Sequence, residues 1–304
     1  MIRVVFNPTA RGDKARHVQE LLSQLARSGG AEIALHPTTG PGTGPDIARE
    51  AVESGCSILV AAGGDGTVNE VLNGLAIARD GLESTALGIL PLGTANVFAK
   101  ELGIPASLHA AWKLLCEPQR RVVDLPFVQP EGPSGKPALP RRYFAHMAGA
   151  GLDSRALSLV RWDLKKRFGQ GAYLWACVGA LRGPRPRVEV RSAGLRLTAP
   201  LVAVGNGRFY GGRFPVFPKA RLDDGLLDVT VFPRVNPLTI LRVMLALQRD
   251  RIAECSAAQC LQTSDLRLQA TDGTPWHAEG DIAGDLPVSI GIRPRALRVV
   301  VPRG

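Results

Sequence analysis

The sequence has few cysteines and few aromatic residues, and it contains no long hydrophobic run. Its 304 residues include five cysteines, none in a Cys-x-x-Cys spacing, so neither a disulfide framework nor a cysteine-based zinc site is expected. The longest uncharged, mostly apolar stretch, at residues 168–181, is shorter than the roughly 18 residues that a membrane-spanning helix needs. The amino-terminal residues also lack the features of a signal peptide. These absences predict a cytoplasmic protein.

Acidic residues are also in deficit. The chain has 27 Asp and Glu against 37 Lys and Arg, which gives a net charge of +10. A basic protein favours anionic partners such as nucleotides, nucleic acid or an acidic membrane surface. No arginine cluster is interleaved with aromatic residues as in RNA-binding sheets, so nucleic acid is not an expected partner. The hydrophobic fraction of 45% indicates a globular chain, and the length indicates two domains.

The first part of the chain alternates strand and helix patterns. Apolar runs predict strands at 2–6, 32–35, 57–62 and 87–90, and amphipathic patterns predict helices at 14–27, 46–54, 68–75, 96–102 and 108–116. This alternation predicts a doubly wound α/β domain with ligand sites at the carboxyl ends of its strands.

The composition changes after the first domain. Residues 129–142 contain four prolines and two glycines, which is typical of a linker or an exposed hairpin loop. Strand patterns then dominate, interrupted by helical patterns at 164–181 and 237–249. The predicted strands lie at 143–148, 188–191, 195–198, 201–204, 227–232, 264–270, 288–292 and 297–301. This half is predicted to be a largely antiparallel β domain, either a sandwich or a partly closed barrel.

A glycine-rich motif, Gly63-Gly64-Asp65-Gly66-Thr67, lies between a predicted strand and a predicted helix. The glycines let backbone N–H groups approach a ligand, and the positive end of the helix points at the loop. The motif therefore predicts a site for the phosphate chain of a nucleotide, although glycine-rich turns without a ligand are common. A carboxylate beside phosphates is repulsive unless a metal ion or proton donor intervenes, so Asp65 is expected to handle Mg²⁺ or to steer charge.

A second loop, Pro91-Leu92-Gly93-Thr94-Ala95-Asn96, follows the next predicted strand. It would stand at the same edge of the sheet, where a Thr hydroxyl and an Asn amide could hold the nucleotide from the other side. Taken alone, it is equally well a loop followed by an Asn that caps a helix.

Seven motifs, taken in order, resemble the diacylglycerol kinase catalytic-domain family of lipid kinases, which includes sphingosine kinases and bacterial lipid kinases. They are Asn7-Pro8, GGDGTVNE at 63–70, PLGTAN at 91–96, GRFYGG at 207–212, FPKA at 217–220, DDGLLDV at 223–229 and PRAL at 294–297. Ordered motifs across two domains are far more specific than any one of them.

The resemblance implies a kinase that uses ATP and Mg²⁺ to phosphorylate a lipid with a free hydroxyl, diacylglycerol by default. It implies an NAD kinase-like, doubly wound α/β domain at 1–128, with residues 293–304 packing back on it. A mainly antiparallel β-sandwich that binds the lipid substrate would occupy 129–292. The protein would be peripheral to the inner face of the membrane, and a homodimer is left open.

The resemblance also assigns ligand contacts by position. The nucleotide contacts would be Asn7, Thr39, Gly63, Gly64, Asp65, Gly66, Thr67, Val68, Asn69, Gly93, Thr94 and Asn96. A structural Mg²⁺ site would use the Asp224 side chain with backbone carbonyls near Arg221 and Leu226. The same Asp-Gly sequence is also a turn that opens the next strand.

The catalytic base of the family lies in an Asp-Gly-Glu triplet, and here the matching residues are Glu279-Gly280-Asp281, with the two acids exchanged. Glu279 would be the base and Asp281 the metal-side carboxylate, acting with Asp65. The alternative is a turn with two exposed acids. The exchange changes the reach of each carboxylate, and 1 Å of misplacement can cost about a hundredfold in rate. In addition, Val97 stands where many relatives carry an acid.

Several alternatives remain open at this stage. A sphingoid or other lipid kinase is one, and an NAD kinase shares the 63–67 motif but is disfavoured by the later motifs. A catalytically weak nucleotide- or lipid-binding module is motivated by Val97 and the exchanged acids. The basic stretch at 165–168 is either a contact for anionic headgroups or a solvated face. The apolar stretch at 238–247 is either an acyl-pocket lining or a core helix.

Overall fold

The computed structural model describes residues 1–8, 19–20, 22–24, 32–132, 135–159, 179, 183, 185–212 and 214–303. The chain forms two compact units, of which the first comprises Met1–Leu125 with Arg293–Gly304 and the second comprises Pro126–Ile292. The helices predicted at 14–27 and 164–181, including the basic stretch at 165–168, fall largely outside the described residues.

The first unit is built on a parallel sheet of β1 (Ile2–Phe6), β2 (Ile33–Pro37), β3 (Ile58–Gly63), β4 (Ala86–Pro91) and the carboxyl-terminal part of β16 (Val288–Val301). The strand order is β2-β1-β3-β4-β16. β3 and β4 are buried at every position, as expected for strands covered on both faces. Because β2 and β3 flank β1 on opposite sides, the strand order reverses at β1, which is where open α/β sheets bind ligands.

Short helices connect these strands. They are α1 (Gly44–Glu53), α2 (Asp65–Ile77), α3 (Gly81–Ser84), α4 (Val97–Glu101) and α5 (Leu108–Cys116). α1 and α2 pack closely through Gly74, where an added Cβ would lie 2.5 Å from the Cβ of Ala48. This close packing fixes α2, and therefore the loop before it, against the neighbouring helix.

The second unit is an antiparallel β-sandwich. Its strands are the last part of β5 (Gln119–Pro130), the first part of β16, and β6 (Arg142–Tyr143), β7 (Met147–Gly151), β8 (Val188–Ser192), β9 (Leu195–Ala199), β10 (Leu201–Gly205), β11 (Leu227–Phe232), β12 (Gln259–Thr263), β13 (Asp265–Gln269), β14 (Pro275–Ala278) and β15 (Asp281–Asp285). One sheet has the order β12-β11-β10-β7-β14-β15, and in the other β16 pairs with β13, β13 with β8 and β8 with β9. Valines such as Val190 and Val229 fill the space between the sheets.

A second apolar cluster covers the other face of the β7–β10–β11 sheet. It includes side chains of α6 (Leu152–Leu159), α7 (Pro237–Gln248) and a 3₁₀ turn at Ile252–Glu254. Phe217 from the loop before β11 is a buried member of this cluster, and an added Cβ on Gly205 would meet the Phe217 ring. The loop that carries the 207–212 motif is thereby held against the sheet.

The predicted fold class is confirmed, because an α/β unit is joined to an antiparallel β-sandwich. The proline-rich segment after Pro130 is a hairpin connection, since β5 and β6 pair antiparallel with Val128 opposite Arg142. The patterns at 288–292 and 297–301 form one strand, β16, and the single strand expected at 143–148 is divided between β6 and β7. Within the described residues, no helix is long and apolar enough to cross a membrane.

Candidate functional site

The residues assigned to nucleotide binding lie at one edge of the first unit, in loops, at the end of β3 and at the start of α2. Asn7 follows β1, Thr39 follows β2, Gly63 ends β3 and Gly93 follows β4. Because these strands are parallel, their carboxyl ends meet at the same edge of the sheet. The N–H of Asn7 donates to the carbonyl of Ala62 at 3.2 Å, so the first loop starts directly beside the end of β3.

The two glycine loops touch each other. An added Cβ on Gly64 would lie 3.2 Å from the Cα of Gly93, and an added Cβ on Gly93 would lie closer than 3.0 Å to the Cα of Gly64. The N–H of Leu92 donates to the Gly63 carbonyl at 2.9 Å. The contact therefore leaves no room for a side chain at position 93 and little at position 64, and it joins the predicted phosphate loop to the predicted second nucleotide loop.

Asp65 ties the same two loops together. Its Oδ1 accepts the N–H of Val97 at 2.6 Å and that of Phe98 at 3.4 Å, at the start of α4. A carboxylate is favourable there because it complements the positive end of a helix. Burial raises the pKa of Asp65, and the hydrogen bonds from these amides oppose that shift. Asp65 thus has a structural role in addition to the metal or charge role expected of it.

Asn96 precedes α4 and has a left-handed backbone with φ of 49°. Its side chain does not cap the helix but pairs with Gly93, whose N–H donates to Asn96 Oδ1 at 2.9 Å. In return the Asn96 amide donates to the Gly93 carbonyl at 2.8 Å. The side chain that caps the start of α4 is therefore Asp65, and not Asn96 as the sequence had suggested. Asn96 instead stabilises the loop at 93–96.

Glu70 fixes the loop that follows Thr39. Its carboxylate accepts the N–H of Gly42 at 2.9 Å and that of Gly44 at 3.1 Å. An added Cβ on Gly44 would lie 2.7 Å from the Cβ of Glu70, so only glycine fits. Thr39 itself is exposed, and its N–H donates to Thr43 Oγ1 at 3.2 Å. Glu70 is the last residue of the 63–70 motif, but no role was predicted for it from the sequence.

Solvent reaches only part of the predicted nucleotide set. Thr67, Val68 and Asn69 are buried, whereas Gly66 and Thr94 are exposed. Gly66 has open space where a Cβ would be, and it lies in the first turn of α2, whose N–H groups have no partner within the helix. A phosphate that approaches this loop would therefore meet backbone amides near Gly66, not the buried side chains.

The residues assigned to catalysis in the second unit lie on the hairpin between β14 and β15. Glu279 and Gly280 form its two-residue turn with φ of 54° and 83°, and Ala278 pairs with Asp281. Positive φ is uncommon for a residue such as Glu and is expected in a two-residue hairpin turn. The structure therefore brings Glu279 and Asp281 together at one end of the sheet.

The Glu279 carboxylate is held by backbone amides of the segment leading into β7. Its Oε1 accepts the N–H of Ala145 at 2.8 Å, that of His146 at 2.7 Å and that of Met147 at 3.4 Å. Asp281 is exposed, whereas Glu279 is half-buried. The hairpin is thus a turn with one exposed acid and one anchored acid, and it orients the Glu279 side chain.

A buried polar network is centred on His277, two residues before Glu279 in the chain. Nε2 of His277 contacts Oδ2 of Asp153 at 3.0 Å and the hydroxyl of Tyr210 at 2.8 Å, and that hydroxyl donates to Asp153. An added Cβ on Gly149 would lie 2.5 Å from Asp153 Oδ2. The network joins β7, α6, β14 and the 207–212 loop, and sequence reasoning assigned it no role.

His146 is buried behind the Glu279 turn. Its Nε2 bonds the carbonyl of Phe209, so this nitrogen carries the proton in the neutral ring. Burial lowers the pKa of His146 to about 4. The side chain is therefore neutral at physiological pH and serves to hold the 207–212 loop.

The predicted metal residues form a separate turn before β11. Asp224 Oδ1 accepts the N–H of Leu226 at 3.0 Å, and Arg221 lies 3.8 Å from the carboxylate of Asp223. Nearby, burial raises the pKa of Asp228 to about 6, with the Asp224 charge adding to the shift.

Oxygen donors are available at this turn. The Oδ2 of Asp228 is buried without a hydrogen-bond partner among the described residues. Carboxylate and carbonyl oxygens of this kind suit Mg²⁺. Within the described ranges, no three His, Cys, Asp or Glu side chains are grouped to hold a metal, so a site at Asp224 would depend on backbone carbonyls.

Two family models match the chain, one in each half of the sequence. The family model of the diacylglycerol kinase catalytic domain matches residues 1–128, and that of the YegS C-terminal NAD kinase beta sandwich-like domain matches residues 146–301. The chain is 34% identical to a protein of Pseudomonas aeruginosa named "Probable lipid kinase YegS-like", over 91% of this chain and 87% of that protein. It is 28% identical to a protein of Bacillus subtilis named "Diacylglycerol kinase", over 99% of this chain and 96% of that protein.

Solved structures show the same fold. A crystal structure from Bacillus anthracis, named "putative diacylglycerol kinase", superposes with a TM-score of 0.80 and covers 99% of this chain and 95% of that one. The identity is 22%, so this similarity concerns the fold alone. The family models and the sequence identity to the Pseudomonas relative together establish that the chain belongs to the diacylglycerol kinase catalytic-domain family of lipid kinases.

Proposed function

We propose that the chain transfers the γ-phosphate of ATP to the free hydroxyl of diacylglycerol and so produces phosphatidate. The observation that carries the proposal is the joined pair of glycine loops with an exposed helix start at Gly66. The amino end of a helix beside a glycine loop is a favourable place for phosphate groups. The acceptor is inferred from the Bacillus subtilis relative, whose name is that of a diacylglycerol kinase and which aligns with nearly the whole chain.

The chain's own groups would bind the triphosphate through backbone amides at 63–66, with Thr94, Thr39 and Asn7 contacting the nucleotide. Gly93 and Asn96 support this arrangement because they fix the second loop against the first. The carried-over contacts of Thr67, Val68 and Asn69 would be made by backbone groups, since the side chains are buried. Positioning of this kind is the main requirement of phosphoryl transfer.

Glu279 is proposed to act as the general base. The lipid hydroxyl oxygen forms a bond to the γ-phosphorus, its proton passes to the Glu279 carboxylate, and the bond from the γ-phosphorus to the bridging oxygen of ADP breaks. Amides of 145–147 hold one carboxylate oxygen, which keeps the side chain in a fixed orientation. Asp281, exposed on the same hairpin, is proposed as the metal-side carboxylate.

Mg²⁺ would supply charge neutralisation on the triphosphate when bound. Asp65 is a candidate for that ion, although its Oδ1 is already engaged with the amides of α4. For the structural ion, Asp224 with carbonyls near Arg221 and Leu226 would provide the oxygen ligands. The buried oxygen of Asp228 adds negative charge beside this turn.

The test is transfer of radiolabel from [γ-³²P]ATP to a whole lipid extract, followed by mass identification of the labelled species. Diacylglycerol, sphingosine and NAD are compared as single acceptors with Mg²⁺ or Mn²⁺ present. The proposal predicts labelled phosphatidate and predicts that Asp65→Ala abolishes transfer. Labelled NAD would indicate an NAD kinase, and labelled sphingosine a sphingoid kinase. ATP binding without any labelled acceptor would indicate a binding module.

A further inference from the structure

Helix α7 packs against the second unit through one of its faces. Ile240, Val243 and Leu247, spaced by three and four residues, belong to or border the second apolar cluster. At the start of the helix, Asn236 Oδ1 accepts the N–H of Thr239 at 2.9 Å. These contacts anchor the helix and determine which of its sides faces solvent.

The solvent-facing side of α7 is apolar as well. Leu238, Leu241 and Leu245 are 56%, 56% and 41% exposed, and their spacing of three and four residues places them in one stripe. A helix that is apolar all round is usually buried all round. Other large exposed apolar side chains, such as Ile77 and Leu139, lie on other elements of the described chain. A group of exposed leucines on one helix is typical of an interaction site.

The segment that carries this stripe is cationic. From the end of β11 to Asp250, the sequence contains Arg234, Arg242 and Arg249 and, before Asp250 itself, no acidic residue. All three arginines are exposed, and in the described part of the chain none of them is ion-paired with a carboxylate. The neighbouring Arg208, by contrast, pairs with Asp250 at 2.8 Å. Arg242 lies one helical turn after Leu238, so positive charge and the leucine stripe are adjacent.

We propose that the surface formed by Leu238, Leu241 and Leu245 with Arg242 and Arg249 docks the protein on an anionic lipid bilayer. The leucines enter the boundary between headgroups and acyl chains, and the arginines contact lipid phosphates while their stems lie along the apolar surface. The choice of a bilayer as partner rests on the proposed function, because diacylglycerol resides in one. Exposure and charge define the surface independently of catalysis.

The test is binding of the full chain to sedimented vesicles in the absence of ATP. Wild type should bind phosphatidylcholine vesicles that contain phosphatidylglycerol more tightly than vesicles of phosphatidylcholine alone. The double variant Leu238→Gln/Leu241→Gln should bind roughly tenfold or more weakly, because apolar burial is lost. Arg242→Gln should weaken binding by about fivefold at low salt. Leu139→Gln, the same change at a side chain that is 61% exposed elsewhere, is the matched control and should bind like wild type.

Two results would overturn the proposal. One is vesicle binding by the double variant equal to that of wild type. The other is a double variant that is monomeric in sedimentation velocity where wild type is dimeric, with vesicle binding unaltered. That result would assign the surface to a second copy of the chain. Circular dichroism checks that the variants fold. Phosphorylation of diacylglycerol in detergent micelles separates the two hypotheses, because the double variant should retain it. If wild type itself does not phosphorylate diacylglycerol in micelles, that result counts against the proposed function and not against docking.

Discussion

Replacement of Gly93 by Ala tests the contact between the two glycine loops. The added methyl group would lie closer than 3.0 Å to the Cα of Gly64 and 2.7 Å from Oδ1 of Asn96. Carbon atoms pack at about 3.5–4.0 Å, so the loops would have to separate by at least about 0.5–1 Å. The Gly93 backbone is one that alanine can adopt, since its φ is not positive. The effect would therefore come from the contact alone.

The expected loss of stability can be worked from these contacts. Overpacking of a tight contact costs about 1–3 kcal/mol. Separation of the loops also weakens the hydrogen bond from Val97 to Asp65, and a bond to a charged group contributes about 1.5–3 kcal/mol. The free energy of unfolding should thus fall by about 2–5 kcal/mol. Urea denaturation followed by circular dichroism measures this change, and calorimetric titration with ATP should show weaker binding.

Gly66→Ala is the matched control, because nothing lies within 4 Å of its added Cβ. Alanine is the better helix former in the first turn of α2, so stability should be unchanged or higher by about 0.5–1 kcal/mol. ATP affinity should fall if phosphate approaches the Gly66 backbone. A Gly93→Ala protein within about 0.5 kcal/mol of wild type would refute the reasoning about the loop contact.

Three further substitutions test other parts of the structure. Between pH 6.5 and about 4, His146 takes up a proton in the unfolded chain but not in the folded one, so the free energy of unfolding of wild type should fall by up to about 3 kcal/mol on acidification. The free energy of unfolding of His146→Gln should fall less, and urea denaturation at several pH values measures the difference. Glu70→Ala frees the amides of loop 40–44 and should raise the KM for ATP about tenfold, with Glu70→Gln less affected. Tyr210→Phe removes a partner of buried Asp153 and should lower the free energy of unfolding by about 1–3 kcal/mol in thermal denaturation.

The first unit could be predicted well from sequence because its signals are local. β3 and β4 are short apolar runs that end at Gly63 and Pro91, and both ends are followed by loop residues. The parallel arrangement then places the two loops at one edge without further information. Boundaries differ by one to three residues, as with α2, which begins at Asp65 and not at residue 68.

The contacts inside the site could not be predicted in the same way. Asp65 meets Val97 across 32 positions of sequence, and Glu70 meets Gly42 across 28. Nothing in the local pattern distinguishes a carboxylate that binds a backbone amide of another loop from one that faces a ligand. The backbone amide that such a carboxylate binds can be identified only once the fold shows which loops lie next to each other.

The second unit was harder to predict because its strands are short and its polar network is distant in sequence. β14 has four residues and β15 is mostly exposed, so neither gives a clear alternation of apolar and polar residues. Asp153 and His277 are separated by 124 positions yet form a buried pair. A buried histidine and an exposed one look alike in sequence, since burial is decided by tertiary packing.

The most direct test of the proposed mechanism is the rate of ³²P transfer from ATP to diacylglycerol by Glu279→Gln at saturating ATP. Gln keeps an acceptor oxygen for the amides of Ala145 and His146 but cannot take the proton. Glu279 as base predicts a fall in kcat of about 10²- to 10⁴-fold, with the Kd for ATP unchanged. A kcat within about tenfold of wild type would contradict this role and place the base on another residue.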